Sequence, residues 1–393
     1  MSTARADHAA VLLDDGRVLV VGGRGSDGAI AAAEIYLAGS WMPAGGLHDA
    51  RWGHTATLMK NGRVLVAGGE NALGNLASVE VFDPATGAWS VAGSLASPRT
   101  GHAVAALTDG RVLIAGGFDG TQVLSSIEEF DSASGALNLL PVSLGVARAG
   151  LSATRLLNGS ILFFGGNNGF ADLASGEFLD PEASIISATP SAVVARRDHQ
   201  AFLLPNNNAV LIVGGVTTAG GTASAELYLP WLNQFWATGA MGALRQDATG
   251  SALSLESYGP PSTSDGLLVV AGGQGLSSTD VYGFATIKTD RDDYVPGMAV
   301  NVSGGGWQPN ETVTLGLREL PAEHETRSFA FQADEHGNIP SSQLFVVEQH
   351  HFGVQFYLTA RGAASQAQVT FADARLWTLT ITPTTTQTSA THT

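Results

Sequence analysis

Arg51-Trp52-Gly53-His54, then Lys60-Asn61-Gly62-Arg63-Val64-Leu65-Val66-Ala67-Gly68-Gly69, then Val79-Glu80-Val81-Phe82-Asp83-Pro84-Ala85-Thr86-Gly87 and Trp89 form the stretch that decides the fold. Short runs of β-branched and small residues are separated by Asn-Gly and Asp-Pro-Ala-Thr-Gly turns, a strand texture rather than a helical one. The reading predicts four strands, from His54 to Leu58, Arg63 to Ala67, Val79 to Phe82, and one opening at Trp89.

The same unit recurs along the chain. Gly-Gly pairs close apolar runs at Gly22-Gly23, Gly68-Gly69, Gly116-Gly117, Gly165-Gly166, Gly214-Gly215 and Gly272-Gly273, spaced 46, 48, 49, 49 and 58 residues apart. Upstream of each stands His8, His54, His102, Leu151, His199 or Ala248. Downstream stands an acid, Glu34, Glu80, Glu128, Glu177, Glu226 or Asp280. Four strands in 45–50 residues is the spacing of a β-propeller blade. A lone four-stranded blade leaves two apolar faces bare, so such units stack and close radially.

On these residues the chain resembles the Kelch motif in its bacterial, galactose-oxidase-like form, over roughly residues 1–284. The resemblance implies an all-β fold, a six-bladed Kelch β-propeller with the His-bearing strand innermost around a channel. From Thr286 the texture changes to turns at Asp290–Gly297, Gly304–Glu311 and Asp334–Asn338. Strands are expected at Val300–Ser303, Val313–Leu317, Val354–Ala360 and Gln366–Phe371. This predicts a β-sandwich over 285–373, and Tyr294-x-Pro296-Gly297 with Gly305-Gly306-Trp307-x-Pro309-x-Glu311 resembles immunoglobulin-like modules of bacterial surface proteins. Residues 374–393, rich in Thr, read as a linker or the start of another module.

Each propeller repeat places an apolar residue four before its Arg, at Leu47, Leu95, Leu144, Ala192 and Met241, and Met1 fills that slot in repeat 1. The sequence therefore predicts an incomplete sixth blade, its outer strand supplied from upstream of Met1. A whole further blade upstream is the lesser alternative.

Composition narrows the function. The 393 residues hold 35 acids against 19 Lys and Arg, a net charge of −16, and no cysteine. So negative a chain is a poor partner for nucleic acid or anionic membrane. The absence of cysteine excludes disulfides and thiolate metal sites. It also argues against the copper chemistry of the oxidases this propeller resembles, which rests on a Tyr–Cys cofactor. No apolar run is long enough for a membrane span, and the first seven residues are not a signal peptide. No nucleophile elbow, zincin motif or phosphate loop is present. No cofactor, metal or catalytic residue is assigned.

An Arg lies three before the landmark in every repeat: Arg5, Arg51, Arg99, Arg148, Arg196 and Arg245. It reads either as a brace to the strand-three acid or as part of a ligand face. One before the landmark stand Asp7, Gly53, Gly101, Gly150, Asp198 and Asp247. In an extended chain these two positions point the same way, which puts three Asp on one half of the channel mouth and three Gly on the other, with Trp52 beside the Gly half. Resemblance to eukaryotic Kelch propellers adds the loops after the double Gly: Glu70, Asn71, Phe118, Asp119, Asn167, Asn168 and Phe170. The repeated His reads as core, since one per blade is too dispersed to share a metal. Asp290, Asp292 and Asp293 read as a solvated turn, with calcium binding as the alternative.

Together these readings predict a non-catalytic binding protein, extracellular or cell-surface and bacterial, with a carbohydrate or protein ligand. The alternatives are a carbohydrate-active enzyme using Asp198 and Asp247, and a structural module of a longer surface protein.

Overall fold

A computed structural model describes residues 1–253, 265–273, 275–321, 325–348, 351 and 353–373. The Thr-rich segment 374–393 lies outside the described residues. The chain is all-β, and it divides into two compact units that meet between Ala285 and Thr286.

In the first unit each repeat makes one antiparallel sheet with its strands in chain order. Repeat 2 pairs Thr55–Leu58, Val64–Ala67, Ser78–Asp83 and Ala88–Ser94. The second strand is apolar at every position and buried at every position, because blades cover both its faces. Asp83 closes the outer hairpin: its carboxylate accepts the Ala85 N–H at 2.9 Å, and its carbonyl accepts the Gly87 N–H at 2.8 Å. The first strands of successive blades touch one another, so they line the axis. Apolar clusters weld each blade to the next; Leu19, Val21 and Ile35 of blade 1 pack against Val64, Val66 and Phe82 of blade 2. The Trp89 indole adds a pin across the same junction, donating to Ala44 O at 2.8 Å.

The double Gly has a specific task. Gly23, Gly69, Gly117, Gly166 and Gly215 each donate their N–H to the carbonyl of the next blade's Arg, at 2.8–2.9 Å. The preceding Gly lies so close to that blade that a Cβ on Gly68 would fall 2.4 Å from Arg99 O. Both glycines hold positive φ, the region open to Gly without strain.

The sixth junction differs. Gly272 meets nothing of blade 1 among the described residues. His8 and Leu12 are exposed, whereas His54, His102 and His199 are buried under the preceding blade's glycines. Met1 is exposed too, unlike Leu47, Leu95, Leu144, Ala192 and Met241, which are buried. Blade 6 shows three strands among the described residues, Thr249–Ala252, Leu267–Ala271 and Thr279–Gly283.

The second unit has a three-stranded and a five-stranded sheet. Thr312–Leu320 alternates buried and exposed residues along its length, as a strand with one covered face must. The two sheets meet through Phe345 of the first against Phe356 and Phe371 of the second. The Trp307 indole donates to Thr286 O at 3.1 Å and is buried. The strands Thr286–Thr289, Arg327–Gln332 and Ile339–Val346 were not anticipated from sequence.

Candidate functional site

The six arginines are the first correction to the site expected from sequence. Arg51, Arg99, Arg148, Arg196 and Arg245 are at most 1% exposed, and the Arg5 side chain is fully covered. Each guanidinium turns into its own blade. Arg148 donates to Gly165 O and Ser175 O, both at 2.9 Å, and to Glu177 Oε1 at 2.7 Å. Arg5 pairs with Glu34, Arg51 with Glu80, Arg99 with Glu128, Arg196 with Glu226 and Arg245 with Asp280. The acid also caps the preceding link; Glu80 accepts the N–H groups of His48 at 2.6 Å and Asp49 at 3.1 Å. These arginines brace the blade and do not face a ligand.

The second correction concerns the position just before the landmark. Asp7, Gly53, Gly101, Gly150, Asp198 and Asp247 all have φ between 51° and 67°. The chain there is left-handed, not extended, so the Arg side chain and this residue diverge. Gly, Asn and Asp are the residues that tolerate such a φ, which explains why only Gly and Asp occur. The choice between them follows space. A Cβ on Gly150 would lie 2.4 Å from Asp198 Oδ1, and one on Gly53 would lie 2.8 Å from Thr100 Oγ1. Neighbouring members also bond through the main chain: Gly150 N–H to Gly101 O at 2.7 Å, and Asp198 N–H to Gly150 O at 2.8 Å.

Three blades build a cleft on this face. Thr100, Gly101, Phe118 and Val123 come from blade 3, Ala149, Gly150, Asn167 and Gly169 from blade 4, and Arg197 and Asp198 from blade 5. They enclose about 530 Å³, open on one side. Phe118, Asn167 and Asp198 were anticipated from sequence; Thr100, Val123 and Arg197 were not. A signal was present. Trp52, Thr100, Ala149 and Arg197 share one repeat position, and each pairs with the first residue after its own double Gly, Glu70, Phe118, Asn167 and Val216 in turn.

Arg197 organises the acid wall. It donates to Asp172 Oδ1 at 2.6 Å and lies 3.5 Å from Asp198. Asn167 Nδ2 donates to the same Asp172 oxygen at 2.8 Å. Burial, then repulsion from Asp247, pushes the Asp198 carboxyl up to about 6, against the pull of Arg197. Burial and Asp7 push Asp247 up as well.

The remaining candidates divide. Phe170 is 97% exposed at a loop tip. Asn168 holds that tip by accepting the Phe170 N–H at 3.0 Å. Asp119 accepts the N–H groups of Gln122 and Thr121, and these bonds pull its carboxyl down to about 2. Asp119 and Asn168 therefore shape loops. On blades 1 and 2, Asp7 pairs with Arg24 at 3.1 Å, Arg24 lies over the Trp52 ring, and Trp52 Nε1 donates to Glu70 at 2.9 Å. Asn71 donates to Ala50 O at 3.2 Å. Trp52, Glu70 and Asn71 are committed to one another and to the backbone, outside the cleft. Among the described residues no three acid or His side chains are grouped to hold a metal, and no helix is long and apolar enough to cross a membrane.

Known proteins agree with the repeat geometry. The Kelch motif matches residues 51–96 and 98–136. A fungal alcohol oxidase of the AA5 family, solved in complex with copper, superposes with a TM-score of 0.56 at 15% identity, covering 93% of this chain and 85% of that one. YjhT superposes with a TM-score of 0.56 at 13% identity, covering 72% of this chain and 95% of that one. No curated protein matches the sequence. Kelch motifs thus stand in blades 2 and 3 of an all-β fold similar to these propellers; likeness at this identity speaks for the fold alone.

Proposed function

We propose that the chain is a binding protein whose ligand, a glycan or an exposed protein segment, is engaged by the cleft across blades 3 to 5. The observation that carries this reading is the cleft itself. It is open-sided, with Phe118 on its wall, the exposed Phe170 on the same loop series, and the half-exposed Arg197 held to the buried Asp172 at its edge. An aromatic surface beside fixed polar groups is what sugar rings and peptide side chains both use. The second unit acts as a spacer of immunoglobulin-like type, and the protein works at a bacterial cell surface; the Tyr294-to-Glu311 motif supports that part.

The test is a glycan array and a displayed-peptide library probed in parallel with the wild type, Phe118→Ala, Asp198→Asn and, as control, Trp236→Ala on an outer strand. The expected outcome is one class of ligand, weakened at least about tenfold by the two cleft changes and not by the control. Equal binding by all four proteins overturns the cleft assignment.

One observation favours a second reading. Asp198 and Asp247, both with raised affinity for a proton, resemble acid catalysts in their titration. Turnover of a bound glycan that disappears in Asp198→Asn would make the chain an enzyme.

A further inference from the structure

Most polar groups around the cleft of blades 3 to 5 are already engaged within the protein. Thr100 and Phe118 exchange main-chain hydrogen bonds at 3.0 and 2.9 Å, and Ala149 and Asn167 do the same at 2.9 and 2.8 Å. The N–H groups of Gly150 and Asp198 go to carbonyls of the preceding blade. The Asn167 side chain donates to Asp172 and accepts the Gly169 N–H, both at 2.8 Å. The Thr100 hydroxyl donates to Gly53 O at 3.3 Å. The charged groups are less fully engaged. Among the described residues the Asp198 carboxylate has one ion-pair partner, Arg197 Nε at 3.5 Å. Arg197 turns Nη1 to Asp172 at 2.6 Å, which leaves Nη2 as a donor.

These contacts fix the charge that a ligand meets. Asp172 is buried, and its close pairing with Arg197 cancels the guanidinium charge locally. Asp198 then sets the net charge of the lining. An anionic ligand would find a carboxylate where it needs donors. A cationic one finds an acid, with the Phe118 ring lining the same cleft as a second attraction. The net charge of −16 on the chain draws cations in from a distance.

Apolar side chains flank this polar centre. Leu73 and Phe170 are almost wholly exposed at loop tips. Both loops are tied to the cleft. Asn75, on the hairpin that carries Leu73, donates to Phe118 O at 2.5 Å, and Phe170 directly follows Gly169 of the cleft lining. Exposed apolar side chains around a partly polar centre suit a protein surface as partner.

We propose that the cleft takes a lysine or arginine side chain from an exposed protein segment, with apolar residues next to it in that segment. The basic head meets Asp198, Arg197 Nη2 donates to a main-chain carbonyl of the segment, and Leu73 and Phe170 cover the apolar neighbours. The proposal rests on the binding reading of the cleft and narrows its ligand to a protein.

The test is a selection of short random displayed peptides on the full chain, followed by calorimetry with a synthesised selected peptide. Selection should enrich Lys or Arg beside apolar residues. Replacing that basic residue by Gln in the peptide, or making Asp198→Asn or Asp198→Gly in the protein, should each weaken binding at least about tenfold. Raising sodium chloride from about 0.05 to about 0.5 M should weaken it too. Gly53, Gly101 and Gly150 hold the place of Asp198 in other blades with the same left-handed backbone, so Asp198→Gly reads binding without straining the fold. Selected peptides that lack a basic residue overturn the proposal. So do peptides that are weakened by Phe118→Ala but bound equally by both Asp198 variants, a result that leaves the binding reading of the cleft standing. Peptides bound equally by Phe118→Ala and both Asp198 variants overturn that reading as well.

Discussion

Replacing Arg148 by Met tests the claim that the repeated arginines hold the blades together rather than greet a ligand. Methionine fills much the same volume but cannot donate. The change removes bonds to Gly165 O, Ser175 O and Glu177. It leaves Glu177, 5% exposed, with only the main-chain N–H groups of Gly145 at 2.5 Å and Val146 at 3.2 Å. Removing one partner of a buried ion pair costs about 3–5 kcal/mol. For a unit of this size that is a fall in melting temperature of roughly 10 °C, at about 2–4 °C per kcal/mol. The double variant Arg148→Met with Glu177→Gln should regain part of the loss, since the orphan charge is gone while the two carbonyls stay unpaired. Arg111→Met is the control: its guanidinium is 28% exposed and its partners include the exposed Glu182, so the expected loss is at most about 1 kcal/mol. Thermal unfolding followed by circular dichroism reads all three. A fall under about 2 °C for Arg148→Met, or a double variant no more stable than the single one, refutes the brace.

Two further predictions concern pH. His102 is buried, held by Thr55 Oγ1 at 2.9 Å, and burial pushes it down to about 3. The unfolded chain binds that proton first, so stability is lost as pH falls from about 6.5 toward 3. His102→Leu, the residue type blade 4 uses at Leu151, should cost about 1 kcal/mol near pH 7.5 for the lost hydrogen bond. By pH 4.5 it should be the more stable protein in acid unfolding. Asp198 works in the opposite sense: its folded affinity for a proton lies above the ordinary 3.8, at about 6. Wild type should therefore lose stability relative to Asp198→Asn as pH rises from about 4 through 6. A carboxyl titration by NMR that places Asp198 in the ordinary range would sink this.

Much of the propeller was legible in the sequence because its determinants are local. The brace joins an Arg to a Glu 29 or 30 residues later in blades 1 to 5, and the Gly-Gly stop lies between them. Any repeat that keeps the blade must keep that spacing, and so it shows as a period. The cleft was only half legible because it exists between repeats. Phe118, Asn167 and Asp198 come from three blades, and nothing in one repeat records what its neighbour presents. Arg197 was passed over because its repeat position carries Trp52, Thr100 and Ala149 elsewhere, and so shows no pattern.

The division of the channel mouth into an Asp half and a Gly half looked like a charge pattern laid down for a ligand. The backbone gives it a prior cause: that position is left-handed in every blade, and only Gly and Asp appear there. Yet sterics do not require Asp at any of the three places where it stands, because Gly adopts the same φ with less strain. Room decides where Gly is obligatory, as at Gly150 under the Asp198 carboxylate. Where Asp198 stands, burial and then repulsion from Asp247 oppose its charge, and its raised proton affinity is the sign of that opposition. The backbone thus restricts the menu to two residues, and a neighbouring guanidinium favours the charged one where it is present, Arg24 beside Asp7 and Arg197 beside Asp198.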